Sequence, residues 1–186
     1  MEQYPDVVSS FLNLLSRVIR RCPLAFYQLP GDMLDTILMF AVAGMGLQER
    51  LALKSALSFM ADFVGQEYES NPELAKLVET VMMNLGMRIM QELLAGIGGR
   101  LPRSLGSQLI DVLYKLVSRY VEASRQWLQV LLAQDTFPSP YIDQSSKEAF
   151  AKGILGTRSP RRFREVVQEF SLKCRKLEDT AFGAAV

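Results

Sequence analysis

The sequence predicts an all-α chain, a stack of antiparallel helix pairs forming one repeat segment. Three observations carry that expectation. Apolar residues recur three and four positions apart along almost all of the 186 residues, the spacing that puts them on one face of a helix. No stretch sustains the period-two alternation of a half-buried strand. Proline, glycine or asparagine punctuates the pattern every 10 to 25 residues, as helix starts and stops require.

The elements follow in order. A first helix is expected from about Asp6 to Cys22, with Val7, Phe11, Leu14, Leu15 and Val18 facing inward, and Pro23 stops it. The second starts after Pro30-Gly31 with Asp32 as its cap and ends near Gly44–Gly46. The third covers roughly Gln48–Gln66, burying Leu51, Leu53, Ala56, Leu57, Met60 and Phe63. Asn71-Pro72-Glu73 places an Asx cap before a proline at the first helical position and opens a long helix that GIGGRLP closes near Gly96. One helix from Pro102 to Ser124, a shorter one over SRQWLQVLLA, the loop QDTFPSPYIDQSS and a helix over SSKEAFAKGILG come next. A final amphipathic helix runs from Ser159-Pro160 to about Lys176, and the rest reads as a tail. Seven or eight such helices on short turns make about four helix pairs, near the ~40-residue period of HEAT repeats; a compact bundle is the rival architecture.

Composition narrows the chemistry. With 49% hydrophobic residues the chain can bury a sizeable core without metal or disulfide staples. Basic and acidic residues number 21 and 20, which argues against whole-molecule attraction to nucleic acid or an anionic membrane. The balance is uneven along the chain. Gly31–Gly99 holds 9 acidic and 4 basic residues, whereas Arg100–Val186 holds 9 acidic and 14 basic. We therefore divide the segment into slightly acidic repeats over 1–99, basic repeats over 100–177 and a tail over 178–186. Histidine is absent, which removes imidazole-based triads and His-ligated metals. Nothing else nominates an enzyme, a cofactor or a metal. Cys22 and Cys174 stand far apart in apolar surroundings and read as reduced core thiols. The most apolar window, ILMFAVAGMGL, is far shorter than the ~20 residues of a membrane span. No signal peptide is visible, and a location inside the cell is expected.

Several groups could bind a partner. Arg158, Arg161, Arg162 and Arg164, continued by Lys173, Arg175 and Lys176, could grip phosphates or an acidic protein surface. Interleaved with Val166, Val167, Phe170, Glu165 and Glu169, they also suit a solvated helix face. Arg17, Arg20 and Arg21 make a smaller patch of the same ambiguity. Asp62, Glu67, Glu69 and Glu73 cluster about one turn and could hold basic cargo, although turns are where charges sit anyway. Met82, Met83, Met87 and Met90, and the single Trp127, suit either a partner or the core. Gly96, Gly98 and Gly99 lack the strand and Gly-Lys-Ser/Thr of a phosphate loop and read as a helix stop. Ser159-Pro160 fits a helix cap or a phosphorylation site.

From Leu93 onward, LLAGIGGRLPRSLGSQLIDVLYKLV, RQWLQVLLAQDTFPS, SSKEAFAKGIL and RRFREVVQEFSLKCRKLEDTAFG occur in an order that resembles the carboxy-terminal end of the importin-13/transportin-3 branch of the karyopherins, the importin-beta superfamily. The matching positions are Gly96–Gly99 with Arg103-Ser104, Trp127, Phe137-Pro138-Ser139, Lys147, Phe150, and Leu172 with Cys174-Arg175. Arg175–Glu178 departs from the arginine-glycine-leucine of many relatives. PDVVSSFLNLLSRVIRRCPLAFY and LKSALSFMADFV look like preceding helices of the same branch. The resemblance implies a HEAT-type α-solenoid that binds protein cargo and shuttles between nucleus and cytoplasm. It implies Ran-GTP and nucleoporin partners too, met mainly through repeats outside this stretch. As a cut solenoid, the chain is expected to expose an apolar flank at Phe11, Val18 and Phe26. Two other readings stay open, a free-standing helical scaffold or adaptor and a basic-helix nucleic-acid binder.

Overall fold

The computed structural model describes residues 4–66, 68, 71–178 and 180. Every regular element among them is helical: α1 (Pro5–Arg21), α2 (Pro23–Tyr27), α3 (Gly31–Gly44), α4 (Arg50–Gly65), α5 (Pro72–Ala95), α6 (Gly106–Arg119), α7 (Val121–Leu132), α8 (Gln144–Gly156) and α9 (Pro160–Cys174). A π-turn over Gly96–Arg100 and a 3₁₀ turn over Arg103–Leu105 separate α5 from α6. The chain forms two compact units, Met1–Ile89 and Met90–Val186.

In the first unit, α1 begins on Pro5, carries Asp6 in its first turn and Arg20 and Arg21 in its last, charges that complement the helix dipole. Its N-terminal half meets α4 through a 2.7 Å hydrogen bond between the Ser9 and Ser55 hydroxyls. Its C-terminal end meets α4 through Arg20 and Asp62. Position rises along both helices together, so α1 and α4 run parallel, as equivalent helices of successive repeats do. Gly44 of α3 abuts Ala56 so closely that a Cβ at 44 would lie 3.1 Å from the alanine methyl. Beneath them Phe26, Tyr27, Phe59 and Phe63 pack ring against ring, Phe59 and Phe63 stacked at 6.1 Å.

Local signals set most boundaries. The Glu49 carboxylate accepts the Leu51 and Ala52 amides at the start of α4, Asn71 accepts Leu74 N–H at the start of α5, and Ser159 accepts Arg162 N–H at the start of α9. Asp32 is no cap; it sits in the first turn of α3, whose cap position is Pro30. The single helix expected over Pro102–Ser124 is two elements, because Tyr120 leaves the helical region at φ −116°, ψ 56°.

The inward face of α1 differs from the expected one by a residue. Val8, Leu12, Leu15 and Ile19 are buried, whereas Val7 is 65% and Leu14 56% exposed. The helix carries two overlapping apolar stripes, and α4 takes the one that also holds the small Ser9 and Ser16, where helix backbones approach most closely. Phe26, expected on an open flank, is buried in the ring cluster, and Phe11 packs edge-on against Phe40 of α3. Cys22 is exposed, not a core thiol; Cys174 is buried as expected.

In the second unit, α8 and α9 form an antiparallel hairpin. Phe150 stacks on Phe170 at 3.9 Å, and Gly153 leaves room for Val166, whose nearest methyl would stand 2.9 Å from a Cβ there. Tyr114 of α6 packs edge-on against Phe163 of α9, and its hydroxyl donates to the Arg158 carbonyl. Trp127 faces inward, buried.

Candidate functional site

Two charged surfaces and one internal lock emerge from these elements. The lock surrounds the glycine turn. Gly99 has φ +129°, a conformation side chains rarely adopt. A Cβ on Gly98 would sit 2.4 Å from the Pro138 carbonyl oxygen, so only glycine fits there. Arg175, at the end of α9, donates to the Gly96 and Leu101 carbonyls at 3.0 and 2.8 Å, and the Ser171 hydroxyl donates to Ile97 at 2.8 Å. The turn's orphan carbonyls are thereby paired. The loop after α7 is tied down in the same way. Ser139 donates to the Cys174 carbonyl at 2.7 Å, and Lys147, 2% exposed, extends its ammonium to the Gln134 and Asp135 carbonyls at 2.5 and 3.1 Å.

Arg175 is thus a structural clamp and not part of an open basic grip. Burial, then the neighbouring Arg103, holds its proton affinity below the usual arginine value. Burial also pushes the Cys174 thiol up to about 12. The motif residues Lys147 and Arg175 stand out in sequence only through the family pattern; their charge alone suggests surface.

The basic surface is the start of α9. Arg158, Arg161, Arg162 and Arg164 are all exposed. Glu165 takes both Arg161 and Arg162, at 3.1 and 3.2 Å, and those two side chains hold its carboxyl below the ordinary value, Arg162 first. That pairing spends part of the cluster's charge within its own helix. Lys173 pairs likewise with Glu169. On the acidic side, Asp62 is half-buried against Arg20, which ties up one member of each predicted patch, and Glu73 stands exposed in the first turn of α5. Glu67 and Glu69 lie outside the described residues. Met82 and Met90 are buried and Met83 is exposed, so the methionine run divides between core and surface. Among the described residues, no group of three or more Cys, Asp or Glu is placed to hold a metal ion, and no helix is long and apolar enough to cross a membrane.

Residues 45–124 match the family model described as the Importin 13 repeat. Along 97% of its length the chain is 30% identical to importin-13 of Gallus gallus, of which it covers 18%. The chain is similar to the importin-13 branch of the importin-beta superfamily. More distant relatives show the same coverage: importin-13 homolog A of Dictyostelium discoideum is 25% identical over 91% of the chain and 16% of its own length. The importin beta-like protein kap111 of Schizosaccharomyces pombe is 25% identical over 96% of the chain and 17% of its own length. A solved structure of importin-13 in its cytosolic state aligns with 94% of the chain and 19% of its own at a TM-score of 0.77 and 22% identity. That likeness establishes the fold, the all-helical HEAT-type architecture of importin-13. The chain spans about 18% of the length of the curated relatives it matches and corresponds to a C-terminal portion of them.

Proposed function

We propose that the chain is a repeat segment of a nuclear transport receptor and contributes part of the surface that holds protein cargo during passage through the nuclear pore. The observation that carries this reading is the kinship with importin-13 along 97% of the chain. Ran-GTP and nucleoporins are partners of the longer receptor, met mainly through repeats outside this stretch, and the receptor shuttles between nucleus and cytoplasm. The two charged surfaces suit cargo of opposite character. Arg158, Arg161, Arg162 and Arg164 serve acidic patches, while Asp62 and Glu73 serve basic ones; such complementarity sets register and speeds encounter more than it adds affinity.

The test is a chimera in which this chain replaces the matching stretch of chicken importin-13, assayed for cargo accumulation in the nuclei of permeabilised cells. Ran-dependent accumulation near that of the parent supports the reading. A folded chimera that binds Ran-GTP yet carries no cargo inward or outward overturns it. The isolated chain is expected to bind cargo weakly and without response to Ran-GTP, since that coupling requires both sites in one molecule.

A further inference from the structure

The sequence holds two Ser-Pro steps, Ser139-Pro140 and Ser159-Pro160, and the fold treats their hydroxyls in opposite ways. Ser139 is 3% exposed and donates its proton to the Cys174 carbonyl at 2.7 Å. Ser159 stands exposed at the end of the extended link between α8 and α9, where Thr157 has φ −114°, ψ 137° and Ser159 φ −79°, ψ 119°. Its hydroxyl accepts the Arg162 amide at 3.4 Å, a long cap contact, and donates to none of the described residues. Arginine precedes it and fills the second and third positions after it, as Arg158, Arg161 and Arg162. An exposed serine on extended backbone, with proline next and a basic residue third after it, is the substrate pattern of a proline-directed protein kinase. The other step lacks the charge as well as the access, since Ile142 fills its third position.

A phosphate on Ser159 would meet complementary charge. It would lie at the positive end of the α9 dipole, beside amides that lack a helical partner. Arg161 and Arg162 share Glu165, while Arg158 and Arg164 pair with no carboxylate among the described residues. Four arginines against that one glutamate leave a surplus of three positive charges on this surface. A phosphoserine carries about −1.5 to −2 and lowers the surplus to about one. The modification therefore keeps the helix start in place and removes most of the charge that attracts an acidic partner.

We propose that Ser159 is the phosphorylation site of a proline-directed kinase, and that its phosphate switches off the basic surface at the start of α9. In the transfer, Ser159 Oγ attacks the γ-phosphorus of ATP, its proton passes to the kinase's carboxylate base, and the bond to the bridging oxygen breaks to release ADP. The switch rests on the reading of Arg158, Arg161, Arg162 and Arg164 as a partner-binding surface; the modification itself does not.

The experiment incubates the native chain with ATP and a proline-directed kinase that favours a basic residue at the third position, and locates the phosphate by mass spectrometry. Phosphate on Ser159 and none on Ser139 is expected. Pro160→Ala, which keeps the hydroxyl, should prevent the transfer, and Ser159→Asn, which keeps a cap acceptor, should take up no phosphate. The phosphorylated chain should bind a capped oligoglutamate peptide about threefold to tenfold more weakly at low salt, the worth of two exposed charge pairs, whereas Ser159→Asn should bind it as the parent does. An unmodified Ser159 in the native chain, equal labelling of Ser139, or undiminished transfer to Pro160→Ala would overturn the site. Complete phosphorylation with unchanged peptide binding would overturn the switch. A parent chain that ignores the peptide would also overturn the switch, by removing the surface on which it acts, and the phosphate count separates that failure from loss of the site.

Discussion

Replacing Lys147 with methionine isolates what a buried ammonium does for the second unit. The side chain is 2% exposed, and methionine keeps most of its length while removing the charge and both hydrogen bonds. The Gln134 carbonyl keeps a second partner, the Phe137 amide at 3.3 Å. Asp135 loses the donor recorded for its carbonyl, and each such loss costs about 1–3 kcal/mol. The ammonium also sits just past the C-terminal end of α7, where the helix dipole adds about 0.3–1 kcal/mol. Against this stands relief from burying a charge, which can make hydrophobic replacement neutral or better when a whole ion pair is exchanged. Here only the donor goes and the acceptors stay, so the loss wins. We expect Lys147→Met to destabilise by about 2–3 kcal/mol, a fall in melting temperature of about 4–12 °C. Trp127 is the one tryptophan of the chain and belongs to the same unit, so its fluorescence during urea unfolding reads the relevant transition. A methionine variant as stable as the parent, with unchanged urea dependence, would refute the reasoning and make Lys147 a tolerated charge instead of a tie.

Gly98→Ala should cost about 2–3 kcal/mol, because its methyl meets a backbone oxygen that cannot step aside; Gly31→Ala, with nothing within 4 Å, should change stability little, and equal urea midpoints for the two variants would remove the steric account. The Ala52 and Leu51 amides hold the Glu49 carboxyl below its ordinary value of 4.5. Its stabilisation is therefore complete above that value and disappears as pH falls through the lower folded value, so Glu49→Gln should flatten the acid limb of the stability curve, and an unaltered limb would contradict the cap. With Cys22 exposed and the Cys174 thiol pushed up to about 12, a thiol reagent near pH 8 should label one cysteine in the native chain and both in urea; labelling that survives Cys22→Ser without denaturant would show that the second unit opens.

The sequence was most informative where a residue acts on its own neighbourhood. Asn71 and Ser159 cap the helices that their spacing announces, and Gly99 ends α5 by the backbone freedom that its type alone supplies. It was least informative where the deciding partner is distant. Whether α1 buries Val7 and Leu14 or Val8 and Ile19 depends on which stripe α4 fits, and periodicity is blind to that choice. Cys22 looked interior because its neighbours are apolar, yet it falls at the break between α1 and α2 and points outward. Lys147 and Arg175 invert the usual rule that charge means surface; their acceptors are backbone carbonyls up to 79 positions away, which no side-chain pattern records. The candidate surfaces follow the same division. The arginines of α9 are exposed as their spacing suggests, but the engagement of Arg20 by Asp62 joins two separate patches and is visible only in space.

The Ser9–Ser55 pair bears on how such repeats drift in sequence. The two hydroxyls meet inside the helix interface, where Ser9 also accepts from the Asn13 amide at 3.5 Å. Losing Ser9 alone takes from the buried Ser55 hydroxyl its partner across the interface, whereas exchanging both for alanine removes both buried hydroxyls. The two positions, 46 residues apart, should therefore change hands together among descendants of this chain: a lineage that loses one serine gains by losing the other, and the mixed state is the one natural selection passes through quickly.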